Sequence, residues 1–323
     1  MLLSIWEPQA ILASLAVALV LDALLGDPRW LPHPVAAAGA AIGWADRTVN
    51  RPDFGAGLRR MLGVMTMVVL LALAAGVGWG LSRLFALVPG GWLIEGAAAA
   101  LLLAQRSLYA HVRAVRRAFA GGLADARIAV AHIVGRDPAQ LDEAGICRAA
   151  VESLAENHGD GVVAPVFWYL LLGLPGLLAY KMLNTADSMI GYRSDRHRAF
   201  GWAAARLDDL ANYLPARLSA LMFAAAAGRR AGDAWRTACH DGPRHDSVNA
   251  GWPEAAMAGA LDLALAGPRS YDGTETDGAW MNHEGRRGAK PDDIGRALRL
   301  YLAATGLLWL GVAAALLIAR ALS

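Results

Sequence analysis

Long apolar runs alternate with polar segments along this chain, and the length of the runs predicts helices embedded in a membrane. Met61–Ser82 and Leu300–Ala319 contain no charged residue, and each is close to the roughly 20 residues that cross a bilayer. The apolar runs cover residues 8–26, 61–82, about 92–110, 162–180 and 300–319. This pattern predicts an all-α, polytopic membrane protein with one membrane-embedded domain over residues 1–323.

The polar segments at residues 27–60, 111–161 and 181–299 are predicted to be cytoplasmic, because Lys and Arg collect on the cytoplasmic flanks of membrane spans. The fourth apolar run contains the helix-breaking sequence Gly173-Leu174-Pro175-Gly176. A full crossing there would carry the following arginines outside. We therefore expect a re-entrant hairpin that returns to the cytoplasmic side.

Smaller features refine this scheme. The third run is expected to continue as one helix into the amphipathic segment 106–119, and residues 214–228 to form an interfacial or buried helix. Residues 229–296 are polar and rich in glycine and proline, and segments 270–280 and 282–293 within them are predicted to be loops, whereas a helix is expected to carry Glu254. Gly76 and Gly80 are expected to allow close helix packing.

Composition supports a membrane location and excludes some partners. Hydrophobic residues make up 56% and charged residues 18% of the chain, against about 25% charged residues in ordinary soluble domains. The net charge of +2 arises from scattered bases, so we expect no nucleic-acid partner. Cys147 and Cys239 have neither disulfide-framework nor zinc-site spacing. We expect a multi-pass protein of the cell membrane whose active face is cytoplasmic.

Polar residues that can perform chemistry cluster around the fourth apolar run. In residues 152–161, helical spacing places Glu152 and Glu156 on one face, and two glycines are expected to end the helix beside Asn157 and Asp160. In the next cluster, Lys181, Asn184 and Ser188 recur at helical spacing beside Asp187. A cation, an amide and a carboxylate on one face suit phosphate and Mg²⁺. A solvated helix end and a polar helix interface are the simpler alternatives.

Two further clusters follow. Asp208, Asp209 and Asn212 lie within one helical turn, and a divalent cation would relieve the repulsion between converging carboxylates. Asn249 and Glu254 lie at a predicted helix start, where main-chain N–H groups can bind an anion or be satisfied by an ordinary cap.

Together these motifs resemble the adenosylcobinamide-phosphate synthase family of cobalamin-biosynthesis membrane proteins. The resemblance covers most of the chain from Leu21 to about Gly273, through segments 21–35, 152–168, 173–192, 200–218 and 249–261. The chain departs from the usual family pattern at Val248, where proline is common, and at Ala266, where the family usually has the first glycine of a Gly-Gly pair.

The resemblance implies an ATP-dependent ligase that joins a carboxylate of adenosylcobyric acid to aminopropanol phosphate, or to aminopropanol, with Mg²⁺ as cofactor. It also implies contact with the lipid bilayer and with other corrinoid-pathway enzymes. Phosphoryl transfer needs Mg²⁺ and cations more than covalent help. The implied roles are as follows: Asp160, Asp187, Asp208 and Asp209 hold Mg²⁺; Lys181 and Arg193 neutralise phosphates; Asn157, Asn184, Asn212, Asn249 and Glu254 contact substrates; Glu156, Glu152 or His158 serves as base.

Two other functions remain open at this point. A Mg²⁺-dependent prenyl- or phosphatidyl-transferase would also place aspartates at the membrane edge, but the DxxxD spacing it needs is missing. A non-enzymatic membrane regulator related to accessory proteins of beta-lactamase induction would tolerate loss of Lys181, Asp187 and Asp209.

Overall fold

A computed structural model describes residues 7–26, 34–134, 138–192, 194–267, 269–271, 274–276 and 278–322. The described chain is mostly helical with few strand residues, which confirms the predicted fold class. The helices are α1 (Pro8–Leu25), α2 (Pro34–Thr48), α3 (Ala56–Phe85), α4 (Gly91–Ala100), α5 (Gln105–Ala118), α6 (Leu123–Ala131), α7 (Glu143–His158), α8 (Ala164–Ile190), α9 (Trp202–Ala211), α10 (Tyr213–Ala226), α11 (Ala231–Asp241), α12 (Gly251–Leu261) and α13 (Pro291–Ala321).

Four short strands lie between α12 and α13: β1 (Leu265–Ala266), β2 (Arg269–Tyr271), β3 (Thr274–Thr276) and β4 (Trp280–Met281). β1 pairs with β4 and β2 with β3, both antiparallel. We predicted a loop for segment 270–280, and the strands β2, β3 and β4 correct that prediction in part. Helix α11 has a clear apolar face despite its polar composition, because Ala234 and Ala238 are one turn apart and both buried.

Helix starts follow recognisable chemistry. Among the described residues, α1, α2 and α13 each have a proline as their first residue, and its missing N–H costs nothing in the first turn. Helix α7 begins after Asp142, whose side chain accepts a hydrogen bond of 2.7 Å from the main-chain N–H of Gly145.

Four described helical segments are long and apolar enough to cross a membrane: Pro8–Leu25, Ala56–Phe85, Glu143–Ile190 and Pro291–Ala321. Helix α3 exposes Val68, Leu73 and Val77, which is the surface expected of a helix that contacts lipid. The third predicted run is corrected, because α4 ends at Ala100 and an irregular turn separates it from α5. At ten residues, α4 is too short to span.

The predicted break in the fourth run is confirmed. Within α8, Gly173 has φ 68° and ψ −156°, so two helical pieces meet at a kink just before Pro175. Helix α7 ends at His158 with Gly159 as its C-cap, as expected, but the chain stays helical beyond it. Residues Gly159–Val163 form a π-helical turn that joins α7 to α8. The re-entrant path stays a prediction.

The chain divides into two compact units, and the predicted single-domain organisation stays a prediction. Unit 1 comprises Met1–Ala104, Ala164–Asn212 and Gly311–Ser323, and unit 2 comprises Gln105–Val163 and Tyr213–Leu310. In unit 1, α8 packs against α2, α3 and α9 around buried Met67 and Phe200. In unit 2, α7, α10, α11 and α12 surround a core that includes Leu154 and Met257.

A close approach in unit 1 is made by Gly78 of α3, and not by Gly76 or Gly80 as we expected. A Cβ atom at Gly78 would lie 2.6 Å from the Cα of Pro175, whereas a Cβ at Gly76 or Gly80 would meet nothing within 4 Å. The kink at Gly173 therefore brings main chain against α3, and only glycine leaves room for it.

Replacement of Gly78 by alanine is expected to lower the free energy of unfolding by about 2 kcal/mol, because the added methyl group meets main-chain atoms that cannot turn away. Thermal unfolding of the purified protein in detergent measures the loss. Gly80→Ala is the matched control, since its methyl group enters open space. Equal stability of the two variants would contradict this packing.

Candidate functional site

Unit 1 brings Asp187 of α8 close to Asp208 of α9, and this pair is the centre of the candidate site. Asp208 is buried, with 9% of its surface exposed. Burial and the neighbouring Asp187 carboxylate raise the pKa of Asp208 from 3.8 to about 7, while hydrogen bonds from Asn212 and Asn184 oppose the rise. Two carboxylates thus share a poorly solvated site, which is the condition under which a cation binds well.

A chain of hydrogen bonds orients Asp208. The hydroxyl of Tyr180 donates to Oδ1 of Asn212 over 2.9 Å, and Nδ2 of Asn212 donates to Oδ2 of Asp208 over 2.9 Å. The buried Oδ1 of Asp208 has no hydrogen-bond partner among the described residues. One oxygen of the carboxylate is therefore fixed, and the other is left to accept an outside ligand.

Other predicted residues lie nearby on the same two helices. Asp209 is close enough to Asp187 to repel it, and it pairs with Nη1 of Arg206 over 3.3 Å. Lys181 and Asn184 lie on α8 within two turns of Asp187 and are half-buried. Arg193 lies outside the described residues. The structure thus supports a shared location for Lys181, Asn184, Asp187, Asp208 and Asp209.

Asn212 is buried beside Asp208, and the substrate contact that we expected for it stays a prediction. Its side chain is 1% exposed and lies between Tyr180 and Asp208. An amide held in this way orients a carboxylate and has little surface for a substrate. Sequence reasoning missed Tyr180, although its position at the start of the motif 180–195, one residue before Lys181, was a usable signal.

An apolar groove adjoins this network in unit 1, with a volume of about 220 Å³. Tyr180 and Ala211 belong both to its wall and to the surroundings of Asn212. The full lining consists of Leu71, Trp168, Leu172, Gly176, Ala179, Tyr180, Leu183, Leu207, Leu210 and Ala211. An apolar portion of a ligand can lie here while a polar group faces the carboxylates.

In unit 2, Glu152 stabilises the turn after α12. Its Oε1 accepts a hydrogen bond of 2.8 Å from the main-chain N–H of Ala266, and the side chain is 6% exposed. Ala266 and Gly267 have φ values of 56° and 81°. Glycine adopts such left-handed conformations without strain, which fits the Gly-Gly pair that we expected here from the family resemblance and that this chain replaces by Ala266-Gly267. The hydrogen bond from Ala266 gives Glu152 a structural contact at this turn.

Replacement of Ala266 by glycine is expected to raise the free energy of unfolding by up to about 1 kcal/mol. A left-handed conformation strains an L-residue by about 1–2 kcal/mol, and glycine removes this strain. The greater conformational entropy of glycine in the unfolded chain offsets part of the stabilisation. Thermal unfolding measures the effect. Ala255→Gly, inside α12, is the control and should destabilise. A loss of stability in Ala266→Gly would contradict the strain at this turn.

His158 is fully buried at the end of α7. Its Nδ1 lies 2.8 Å from Oγ of Ser219, and the rings of Phe223 and Tyr301 pack against it at centroid distances of 4.6 and 5.4 Å. Nε2 has no hydrogen-bond partner among the described residues. The base function that we expected for His158 stays a prediction, and its complete burial favours a packing role.

The remaining predicted residues of unit 2 differ in exposure. Glu156 and Asn157 are exposed, and Nδ2 of Asn157 donates to the carbonyl oxygen of Ser153 over 2.9 Å. Asp160 is half-buried in the π-helical turn, a type of distortion that is common at functional sites. Glu254 is 2% exposed and lies 3.7 Å from Nε2 of His245.

Asn249 contacts a residue that sequence reasoning did not single out. Nη1 of Arg217 donates to Oδ1 of Asn249 over 3.0 Å, and Asn249 is 6% exposed. Arg217 lies in the first half of α10. Its guanidinium also lies over the rings of Tyr213 and Trp252. Tyr213 is one helical turn before Arg217 and could have indicated this contact, whereas Trp252 is 35 positions away in sequence and could not.

The four aspartates that we expected around Mg²⁺ are divided between the units, with Asp160 in unit 2 and the other three in unit 1. Across the parts of the chain that the structure describes, no group of three or more His, Cys, Asp and Glu side chains is arranged to hold a metal ion. The Asp187–Asp208 pair and the unpartnered Oδ1 still fit Mg²⁺, which typically uses one or two carboxylates together with substrate phosphates and water.

Comparison with known proteins identifies the family. The model of the CobD/Cbib protein family matches residues 15–301. The chain belongs to the CobD/Cbib family. Its CobD relatives, each named cobalamin biosynthesis protein CobD, include one from Sinorhizobium sp that is 52% identical over 92% of this chain and 95% of its own length. Those from Brucella suis and Rhodobacter capsulatus are 48% and 45% identical, over 89% and 90% of this chain and 91% and 92% of their own lengths. No solved structure matches the chain.

Proposed function

We propose that this chain is an ATP-dependent ligase of cobalamin biosynthesis, which joins a carboxylate of adenosylcobyric acid to the amine of aminopropanol phosphate, or of aminopropanol. Membership of the CobD/Cbib family supports the role in cobalamin biosynthesis. The observation that favours the ligase chemistry is the buried Asp208, whose Oδ1 is unpartnered beside Asp187.

The overall reaction is balanced as amide formation coupled to ATP hydrolysis. The corrinoid carboxylate takes the γ-phosphoryl group and releases ADP, and the amine then displaces phosphate to form the amide. The amine loses one proton from its ammonium form to become a nucleophile and a second as the amide forms, and the amide keeps one N–H, so a base must accept a proton. Glu156 is exposed, and it is better placed to exchange a proton with solvent than the buried His158.

Asp187 and Asp208 would hold Mg²⁺, with Asp209 beside them. Bound Mg²⁺ supplies charge neutralisation for the phosphates of ATP. Tyr180 and Asn212 keep Asp208 in place through the hydrogen bond that Asn212 donates to its Oδ2. The Oδ1 atom, which has no hydrogen-bond partner among the described residues, would then bind the cation. Lys181 adds a positive charge on the same helix for the transferring phosphoryl group.

The apolar groove beside Asn212 suits the hydrocarbon edge of a large corrinoid, since its walls are almost entirely apolar. The site would face the cytoplasm, where ATP is available. We place it at the membrane edge because α8 is part of a candidate span and α9 is not.

The test is the conversion of adenosylcobyric acid by the purified full-length protein in detergent. We expect product with ATP, Mg²⁺ and either amine, with release of one ADP for each amide, and no product when ATP or Mg²⁺ is left out. Asp187→Asn should lose activity, and Asp233→Asn, in an exposed surface pair with Arg236, should keep it. Absence of product in every condition would overturn the ligase and favour the membrane-regulator alternative.

A further inference from the structure

Arg217 of α10 lies over two aromatic rings in unit 2. Its guanidinium carbon lies 3.6 Å from the ring centre of Tyr213 and 4.5 Å from that of Trp252. Tyr213 is one helical turn before Arg217, and Trp252 lies in the first turn of α12. A guanidinium that packs on two aromatic rings has less freedom to move, which reduces the entropy lost when it binds a ligand.

Hydrogen bonds fix one edge of this guanidinium. Nη1 donates to the carbonyl oxygen of Tyr213 over 2.8 Å and to Oδ1 of Asn249 over 3.0 Å, and Nη2 lies 3.4 Å from the carbonyl oxygen of Val248. All these acceptors are neutral. They orient the arginine but leave its charge uncompensated.

The opposite edge, formed by Nε and Nη2, is the one with which arginine binds carboxylates and phosphates through paired hydrogen bonds. Arg196 shows this use within the chain, since its Nε and Nη2 lie 2.9 and 2.8 Å from Oδ2 of Asp46. Among the described residues, no acceptor takes the Nε–H of Arg217, and no carboxylate forms an ion pair with it.

The surroundings favour an anion at this edge. Partial burial lowers the pKa of Arg217, although an arginine remains charged, so its charge is poorly solvated. The start of α12, two residues after Asn249, adds the positive end of a helix dipole. Glu254 in its first turn faces His245 at 3.7 Å. A doubly charged phosphate benefits more from these groups than a singly charged carboxylate.

We propose that Arg217 binds a phosphate group of a substrate through its Nε and Nη2 edge, with Asn249, Tyr213 and Trp252 as positioning residues. This inference rests on the proposed ligase function, in which aminopropanol phosphate and ATP each carry such a group. Steady-state kinetics distinguish the two sources of the phosphate.

The first experiment compares the wild type with Arg217→Lys, which keeps the charge but loses the two-pronged edge. If the amine supplies the phosphate, KM for aminopropanol phosphate should rise about tenfold to a hundredfold, while KM for unphosphorylated aminopropanol and kcat stay within about threefold. If ATP supplies it, KM for ATP should rise by that factor. Arg236→Gln, an exposed arginine of the same unit, is the control and should match the wild type.

A second experiment does not depend on turnover. Aminopropanol phosphate, aminopropanol and ATP are each titrated into the purified protein without the corrinoid, and the shift of its thermal unfolding is followed. The phosphorylated ligand that Arg217 binds should stabilise the wild type and Arg236→Gln, and should stabilise Arg217→Lys at concentrations about tenfold or more higher. This result would stand even if the ligase assay failed.

Two results would overturn the proposal. One is that Arg217→Lys lowers kcat equally with every substrate, or that it loses stability while every KM stays unchanged. Either outcome is what replacement of a purely structural residue would give. The other is that the phosphorylated ligands stabilise Arg217→Lys and the wild type at the same concentrations. If Arg217→Lys does not fold, the same kinetic and thermal-unfolding measurements are made on Arg217→Gln.

Discussion

Replacement of Asp208 by asparagine is expected to abolish ATP-dependent turnover and, at the same time, to stabilise the protein above pH 7. Loss of turnover on the order of 10³-fold follows if the Oδ1 atom of Asp208 carries a charge that the reaction needs. Asparagine preserves the size of the side chain and can still meet Asn212. The assay is amide formation from adenosylcobyric acid, with thermal unfolding measured on the same preparations.

The pH dependence of the stability follows from the raised pKa of Asp208, which burial and Asp187 cause. Between pH 3.8 and about 7, the folded protein keeps a proton that the unfolded chain has lost. The wild type therefore loses stability as the pH rises through this window. Asparagine cannot ionise. The free energy of unfolding of Asp208→Asn should therefore equal that of the wild type near pH 3.8 and should exceed it by on the order of 2 kcal/mol above pH 7.

Mg²⁺ gives an independent check of the same pair. A cation at Asp187 and Asp208 should raise the unfolding temperature of the wild type above pH 7 and should have much less effect on Asp208→Asn. Asp233→Asn, in an exposed surface pair, should respond as the wild type does. The interpretation is wrong if Asp208→Asn is less stable than the wild type above pH 7, or if it keeps more than about half of the turnover.

The apolar pattern predicted the elements whose length alone determines them. Runs without charge became α3 and α13, and the Gly173–Pro175 sequence produced the kink, because these properties are local. Helix α4 shows the limit. Leu101 to Leu103 contain no breaker, yet the helix ends at Ala100, since tertiary packing determines where an apolar helix stops.

Contacts between distant residues could not be predicted in the same way. Gly76, Gly78 and Gly80 follow one another at alternate positions of α3, but only the position of Pro175 determines that Gly78 is the one of these three that packs closely. The composition of the sequence was enough to find the polar clusters, but it did not show that they belong to two different units. Asp187 and Asp208 meet in unit 1 because α8 packs against α9, while Asp160 belongs to unit 2 because its π-helical turn packs against α10.

Gly201 sets the approach of the two helices that carry the aspartates, and its replacement by alanine is expected to disable the site. Gly201 lies directly before α9, and a Cβ there would overlap the carbonyl oxygen of Ile190, the last residue of α8. Asp187 lies one turn before Ile190, and Asp208 two turns after Gly201. A methyl group between these main-chain segments must push the two carboxylates apart.

We expect Gly201→Ala to lower turnover by on the order of 10²-fold, because a displacement of about 1 Å in a catalytic site has such an effect, and to lower the free energy of unfolding by about 2 kcal/mol through overpacking. Separation of the carboxylates should also return the pKa of Asp208 toward its ordinary value, which flattens the pH dependence of stability. Turnover and thermal unfolding across the pH range measure both effects.

Gly57→Ala, in the first turn of α3, is the matched control, since a Cβ there meets nothing within 4 Å. It should keep full turnover and the pH dependence of the wild type. Wild-type turnover in Gly201→Ala would show that the site does not require the close approach of α8 and α9. A loss of turnover with an unchanged pH dependence would assign the effect to something other than the distance between Asp187 and Asp208.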